Sequence, residues 1–394
     1  MSFPRTFFCL VAFAVGTLSL TACSHEAAAP GASQERDAVD PFSGRPEFFP
    51  LGVFLQSPHK ARQWADLGMN MIVPANGYLT LEDIAHLRSL GMVVGGKAND
   101  RLPLSESGET LAFFVARDEP DNAQAREDGS WGPCLTAAEL ADESAELRRI
   151  GGGRPVLRNF GMGMVHPEWI GRGSCAGETD GYYPAAIASA DIVSFDYYPV
   201  FRGEPLEGVA QGARRLRSYI ELGGGKQVQW GIIEISAIRG GAKPTPAQIR
   251  SMAWMHIANG AKGLIFFPWH VGEKGERIRD DAALADPAVV EGLKALTAEI
   301  SQFAPILNSG DEIEPTVSST HAVSALARRF EDDAYLVLVN ENSNPADVSI
   351  ALPGYESGNV VQLPENGAPA RPASGFTDTL DSYEPRIYRF RRGD

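Results

Sequence analysis

Phe113 to Asp121 reads FFVARDEPD, an apolar run that breaks off at an acidic pair, Asp118 and Glu119, followed by Pro120. An apolar run bounded in this way reads as a strand buried on both faces. A carboxylate where such a strand ends is desolvated on one side and open to a ligand on the other. The plainer reading is a strand leaving the core through polar residues into a turn begun by Pro120. The segments on either side decide between the two.

Short apolar runs alternate with segments of helical period on both sides of this stretch. Leu51 to Gln56, Met71 to Asn76 and Met92 to Ala98 read as strands before it, and Pro155 to Gly161, Asp191 to Val200, Val228 to Ser236 and Gly263 to His270 as strands after it. Between them, Lys60 to Leu67, Leu81 to Leu90, Ala137 to Ile150, Leu206 to Leu222 and Pro246 to Asn259 carry helical spacing, and Pro287 to Phe303 follows the last strand. Thr80 is a candidate N-cap for the second of these helices, and Thr136 with Glu139 forms a capping-box pattern for the third. Repeated strand–helix units imply parallel strands. Eight of them predict a closed (β/α)8 TIM barrel over residues 45–307. An open doubly wound sheet would bring a glycine-rich nucleotide turn after an early strand. The two triple-glycine runs, at 151–153 and 223–225, each follow a helix instead and read as C-caps.

After Leu307 the helical period stops. Thr316 to Ser324, Ala334 to Asn340, Asp347 to Leu352, Val360 to Leu363 and Arg386 to Arg391 are short runs punctuated by Asn, Asp, Gly and Pro. They predict a small antiparallel β-sandwich over residues 308–394.

The formal charge of −15, with Lys and Arg scattered, argues against nucleic acid as a partner. Arg5, the apolar stretch from Phe7 to Leu20 and then Leu-Thr-Ala-Cys at 20–23 form a processing segment. It resembles the lipobox of bacterial lipoproteins. That resemblance implies a signal peptide over 1–22, a lipid anchor on Cys23 and, with Ser24 next, sorting to the outer membrane. Residues 23–44 then read as a flexible tether. Cys9 leaves with the signal, so Cys134 and Cys175 are the pair left for a disulfide in an oxidising compartment. The chain has no CxxC, HxH or HExxH spacing, and neither a metal nor a cofactor is expected. No motif speaks to oligomeric state.

Barrel sites lie at the carboxyl ends of the strands. Those ends offer Asn76 after strand two, Lys97 after three, Asp118 and Glu119 after four, and Arg158 and Asn159 on five. Asp196, Tyr197 and Tyr198 follow on six, Glu234 on seven, and Trp269 and His270 on eight. Each alone is a polar residue where a buried strand surfaces, but together they suit a polyhydroxylated ligand. A carboxylate after strand four, a Glu ending strand seven, a Tyr after six and a Trp after eight resemble the clan A glycoside hydrolases, the retaining (β/α)8 enzymes.

The resemblance implies Glu119 as acid/base and Glu234 as nucleophile, with Tyr197 or Tyr198 orienting Glu234 and Trp269 as a stacking floor for a sugar ring. Asp118, Asn76, Lys97, Asn159, Asp196 and His270 would complete the carbohydrate site. One departure stands out: the clan usually has Asn before its acid/base, where this chain has Asp118. Two further readings stay open. Asp118 with Asp196 resembles the strand-four and strand-six carboxylates of other retaining barrels, and a degenerate barrel would bind carbohydrate without cleaving it.

Overall fold

The parallel strands close on themselves. In the computed structural model, which describes residues 39–74, 79–98, 102–169, 181–365 and 369–393, the barrel strands are β1 (Leu51–Gln56), β2 (Met71–Pro74), β3 (Val93–Gly96), β4 (Leu111–Val115), β5 (Val156–Phe160), β6 (Ile192–Phe195), β7 and β8 (Leu264–Phe267). β7 comes in two pieces, Val228–Gln229 and Gly231–Glu234. The first piece pairs with β6 and the second with β8, while β8 pairs with β1, so the bend at Trp230 completes an eight-stranded ring. The signal segment, Cys23, Asn76 and Cys175 lie outside the described residues.

The helices are α1 (Ala61–Ala65), α2 (Leu81–Ser89), α3 (Leu104–Ser107), α4 (Ala137–Ile150), α5 (Tyr182–Ala188), α6 (Pro199–Arg202), α7 (Glu207–Leu222), α8 (Pro246–Ala258) and α9 (Pro287–Leu307). α2, α4 and α8 start with reciprocal capping boxes, Thr80 with Asp83, Thr136 with Glu139 and Thr245 with Gln248. Each satisfies two backbone donors that the first turn leaves orphaned. Among the described residues no helix is long and apolar enough to cross a membrane.

Phe54, Met71, Val73, Val93, Phe113, Leu157, Ile192, Trp230, Ile232 and Ile265 fill the barrel interior. The room for Phe113 comes from Gly95, where an added Cβ would meet the Phe113 ring at 2.5 Å. Trp230 stands edge-on to Phe113 at 5.4 Å, so one large side chain at the bend plugs the space that eight strands enclose.

Most strands are shorter than expected, and at two of them this moves candidate site residues off the strand. β4 stops at Val115, which places Asp118 and Glu119 on the loop beyond it. β6 stops at Phe195 because Pro199 starts α6, so residues 196–198 turn across the barrel end instead of extending the strand. The run from Thr316 to Ser324 divides into two strands with a break at 320–322.

The C-terminal strands are β9 (Glu312–Ile313), β10 (Thr316–Ser319), β11 (Val323–Phe330), β12 (Asp333–Asn340), β13 (Ala346–Ala351), β14 (Asn359–Leu363), β15 (Arg371–Pro372), β16 (Phe376–Leu380) and β17 (Pro385–Arg391). They form antiparallel sheets of six strands, β9-β11-β12-β17-β14-β15, and three, β10-β13-β16. Leu336, Leu338, Ile350, Phe376, Tyr388 and Phe390 share one core, the pattern of a sandwich. β16 escaped the sequence reading because only Phe376 and Leu380 of its five residues are buried apolar side chains.

Sandwich and barrel belong to a single compact unit, Ala38–Asp394. Leu326, Val337, Val339 and Ile387 of the six-stranded sheet join one apolar cluster with Trp254 of α8 and Phe303 of α9. Glu341, 2% exposed, takes two hydrogen bonds from Arg214 on α7, at 2.6 and 2.9 Å, and one from Ser324 Oγ at 2.7 Å.

Candidate active site

Glu119 sits on the β4 loop with φ 44°, in the left-handed region that non-glycine residues rarely adopt. Its amide donates to the Asn159 carbonyl at 3.0 Å, and its own carbonyl accepts from Asn122 N and Gln124 Nε2, each at 3.0 Å. Such strain costs roughly 1–3 kcal/mol and persists only where the surroundings over-determine it. Leu55 at the end of β1 (φ 55°) and Arg239 beyond β7 (φ 47°) carry the same strain at the same end of the barrel. Asp121 anchors the loop from behind: its buried carboxylate accepts from Gly161 N at 2.8 Å and from the Tyr183 hydroxyl at 2.7 Å. Burial raises its carboxyl above the ordinary aspartate value, against both hydrogen bonds.

Asn159, 5% exposed, donates through Nδ2 to Asp118 Oδ1 at 2.9 Å and accepts from Ser194 Oγ at 3.0 Å. Beside it, at the end of β6, stands Asp196. Burial pushes the Asp196 carboxyl well above the ordinary range, and the negative charges of Asp118 and Glu119 push it further, while nearby Asn159 and Tyr198 pull it back. Its Oδ1 is closed to solvent and has no hydrogen-bond partner. Three carboxyl groups, from the ends of β4 and β6, thus act on one another at the mouth, and the charges of the first two oppose ionisation of Asp196. Tyr198 stacks on Phe267 at 5.4 Å, and burial, then the charge of Asp196, raise its hydroxyl.

Glu234 is placed differently. It has no exposed surface; Oε1 accepts from Val200 N at 2.7 Å and Oε2 from Phe201 N at 3.1 Å. Burial pushes its carboxyl up to about 7, against the pull of those two amides, and no charged neighbour contributes.

The chain has the fold of AmyP. The structure of AmyP in complex with maltose matches at a TM-score of 0.50 with 10% identity, over 90% of this chain and 99% of that one. A variant of AmyP in complex with maltotriose matches at 0.50 with 11% identity, over the same shares of both chains. An Anoxybacillus α-amylase matches at 0.49 with 9% identity, over 91% of this chain and 96% of that one. No family model and no curated protein matches the sequence. At these identities the likeness is one of fold, and it covers the barrel and the sandwich together.

Of the residues expected at the mouth, Asp118, Glu119, Asn159, Asp196 and Tyr198 come together there. Trp269 is half-buried, with Nε1 donating to Leu55 O at 3.0 Å and the Arg277 guanidinium 5.6 Å from its ring centroid, so one face of the expected stacking floor already carries a cation. His270 is half-buried in a short hairpin, paired with Arg279, and half-buried Lys97 follows β3. Tyr197 turns the other way: it is 4% exposed and donates to Glu204 Oε2 at 2.8 Å, so it orients neither Glu234 nor a ligand. The split falls on the turn beyond β6, where Glu204 takes Tyr197 away from the mouth; within a strand, pleat alternation sends neighbouring residues to opposite sides. The same rule takes Arg158 outward to Glu143 on α4 at 2.9 Å.

The sequence reading passed over Asp121 and Tyr183. Asp121 lay in plain view within FFVARDEPD, but its partner comes 62 residues later and no local pattern joins them.

Raised carboxyls make a pH prediction. Glu234 is protonated in both states below the ordinary glutamate value of about 4.5. As the pH climbs from there to about 7, the unfolded chain releases its proton first and the native state loses ground, by about 3 kcal/mol for this group. Asp196 adds the same sign. Buried His256, held down to about 4, acts with the opposite sign between pH 5 and 6.5, so the test is the difference between two proteins: from pH 5 to pH 8 the melting temperature of Glu234→Gln is expected to fall less, or rise more, than that of wild type. An identical pH dependence in wild type and Glu234→Gln would overturn this account.

Proposed function

We propose that the chain is a glycoside hydrolase acting on an oligo- or polysaccharide, with Asp196 and Glu119 as the reacting pair. The observation that carries the reading is the meeting of Asp118, Glu119 and Asp196 at the barrel mouth, where burial first and the two neighbouring charges next raise the carboxyl of half-buried Asp196. Glycoside hydrolysis needs that asymmetry: one carboxylic acid protonates the leaving oxygen while an ionised partner attacks the anomeric carbon or activates water. Asp196 supplies the proton and Glu119 the carboxylate. Asp118, held by Asn159, adds its charge to the burial that raises the Asp196 carboxyl, and it accepts a hydrogen bond from a sugar hydroxyl. The fold shared with a protein crystallised with maltose and maltotriose supports a carbohydrate ligand.

The pairing of Glu119 with Glu234 is the rival. The Glu234 carboxyl near 7 favours it, but the side chain has no exposed surface and its oxygens already accept from the Val200 and Phe201 amides. Lipidation of Cys23 with anchoring at the outer membrane, and a disulfide between Cys134 and Cys175, complete the proposal.

Screening aryl glycosides and oligosaccharides with wild type and Glu119→Gln tests the chemistry. Glycan binding without turnover in either protein would establish a carbohydrate-binding role instead. Intact mass of the membrane-extracted protein tests the anchor, which falls if residue 23 carries no acyl mass.

A further inference from the structure

Three facts about Glu234 concern a segment it does not belong to. Val200 N and Phe201 N, the donors to its two oxygens, lie in the first turn of α6, where amides have no partner within the helix. Tyr198, the N-cap residue, makes no side-chain cap bond, so the cap comes from the neighbouring strand. Asp196 N donates to Phe160 O at 2.8 Å. The turn from 196 to 201 is therefore fastened at its start to β5 and at its end to Glu234, and it carries Asp196 and Tyr198 between the two fastenings.

We propose that Glu234 is a positioning residue, a cap reaching from β7 that holds this turn across the barrel mouth and sets where Asp196 and Tyr198 stand. The inference rests on Asp196 as the reacting acid. A carboxylate bonded to two amides with no exposed surface of its own makes strong, directional bonds, and removing it leaves both donors unpaired. A strand end is a better reference point for a reacting group than a four-residue helix alone, because Gly231–Glu234 is paired along its whole length with β8.

Residue-resolved amide exchange and kinetics of wild type, Glu234→Gln and Glu234→Ala test the proposal. Amides of Val200 and Phe201 are expected to exchange at least about 10-fold faster in Glu234→Ala, with the β5 and β8 amides unchanged. Glu234→Gln, which keeps one acceptor and nearly the same shape, is expected to fall between and covers the case in which the Ala variant does not fold. In wild type, the two amide proton shifts are expected to titrate together near pH 7, a readout that needs no variant. Unchanged exchange, or shifts that do not move together, would overturn the cap.

In kinetics, kcat is expected to drop about 10- to 100-fold with KM little changed, and the pH-profile limb assigned to Asp196 to move. Azide is expected to restore nothing. A loss of about 10⁴-fold or more in the Ala variant, with azide rescue giving a glycosyl azide, would make Glu234 the nucleophile and end the positioning role. If wild type hydrolyses no glycoside, the exchange and titration results still decide the cap, and the enzymatic reading fails separately.

Discussion

Asp196→Asn is expected to lower kcat/KM by about 10²–10⁴-fold, the usual worth of a positioned general acid, while making the protein more stable at pH 8. The amide occupies nearly the same volume as the carboxyl, so packing against Tyr198 and Asn159 is kept. What disappears is the proton that glycosidic-bond cleavage draws on. The same substitution removes a buried group whose ionised form is opposed by desolvation and by the charges of Asp118 and Glu119. Stability and activity should move in opposite directions, a pairing that a residue with a merely structural role would not show. Steady-state kinetics on an active glycoside, with thermal denaturation at pH 5 and pH 8, gives both readouts. Full activity in Asp196→Asn would remove it from the reaction and return attention to Glu119 with Glu234.

The second large effect concerns the sandwich. A chain ended after Asn308 is expected not to yield a folded barrel, because the sandwich completes the barrel's outer core. Trp254 has no exposed surface, and Phe303 meets Tyr335 of β12 at 6.5 Å. Leu326, Val337, Val339 and Ile387 lie in the same apolar cluster. Stripping Trp254 and Phe303 of their cover costs about 2 kcal/mol each, in total about 4 kcal/mol, a large part of the ~5–15 kcal/mol that holds an ordinary domain folded. Arg214 would also lose Glu341, and Ser251 Oγ its bond to Tyr383 O at 2.6 Å. Soluble yield, far-ultraviolet circular dichroism and dye binding to exposed apolar surface check the expectation. A truncated chain that melts cooperatively within a few degrees of the full one would show the sandwich to be an appendage.

FFVARDEPD illustrates how far local pattern reaches. Its apolar half announced a strand buried on both faces, and the alternation of such strands with capped helices led to an eight-unit barrel; the Thr136 and Glu139 capping box starts its helix where the residues say it should. These are properties of neighbours within a few residues, written in the chain because hydrophobic period and capping chemistry act at that range. The strand-four acids were legible for the same reason, as was the general identity of the mouth.

The partner of Glu119 was a different matter. Asp196 and Glu234 look alike in the sequence, each an acid closing an apolar run. Which one meets the mouth depends on where β6 stops, on Pro199 turning the chain back over β7, and on two amides 33 and 34 residues away from Glu234. Tyr197 and Tyr198 are adjacent and identical in type, and only the turn beyond β6 and the site of Glu204 send one to the helices and the other to the acids. The sequence by itself determined the barrel, its sandwich and the set of groups at the strand ends, because those follow from short-range periodicity. The tertiary structure alone decided which acid is capped and which is left open, because hydrogen bonds between distant segments set the burial and partners of each carboxyl.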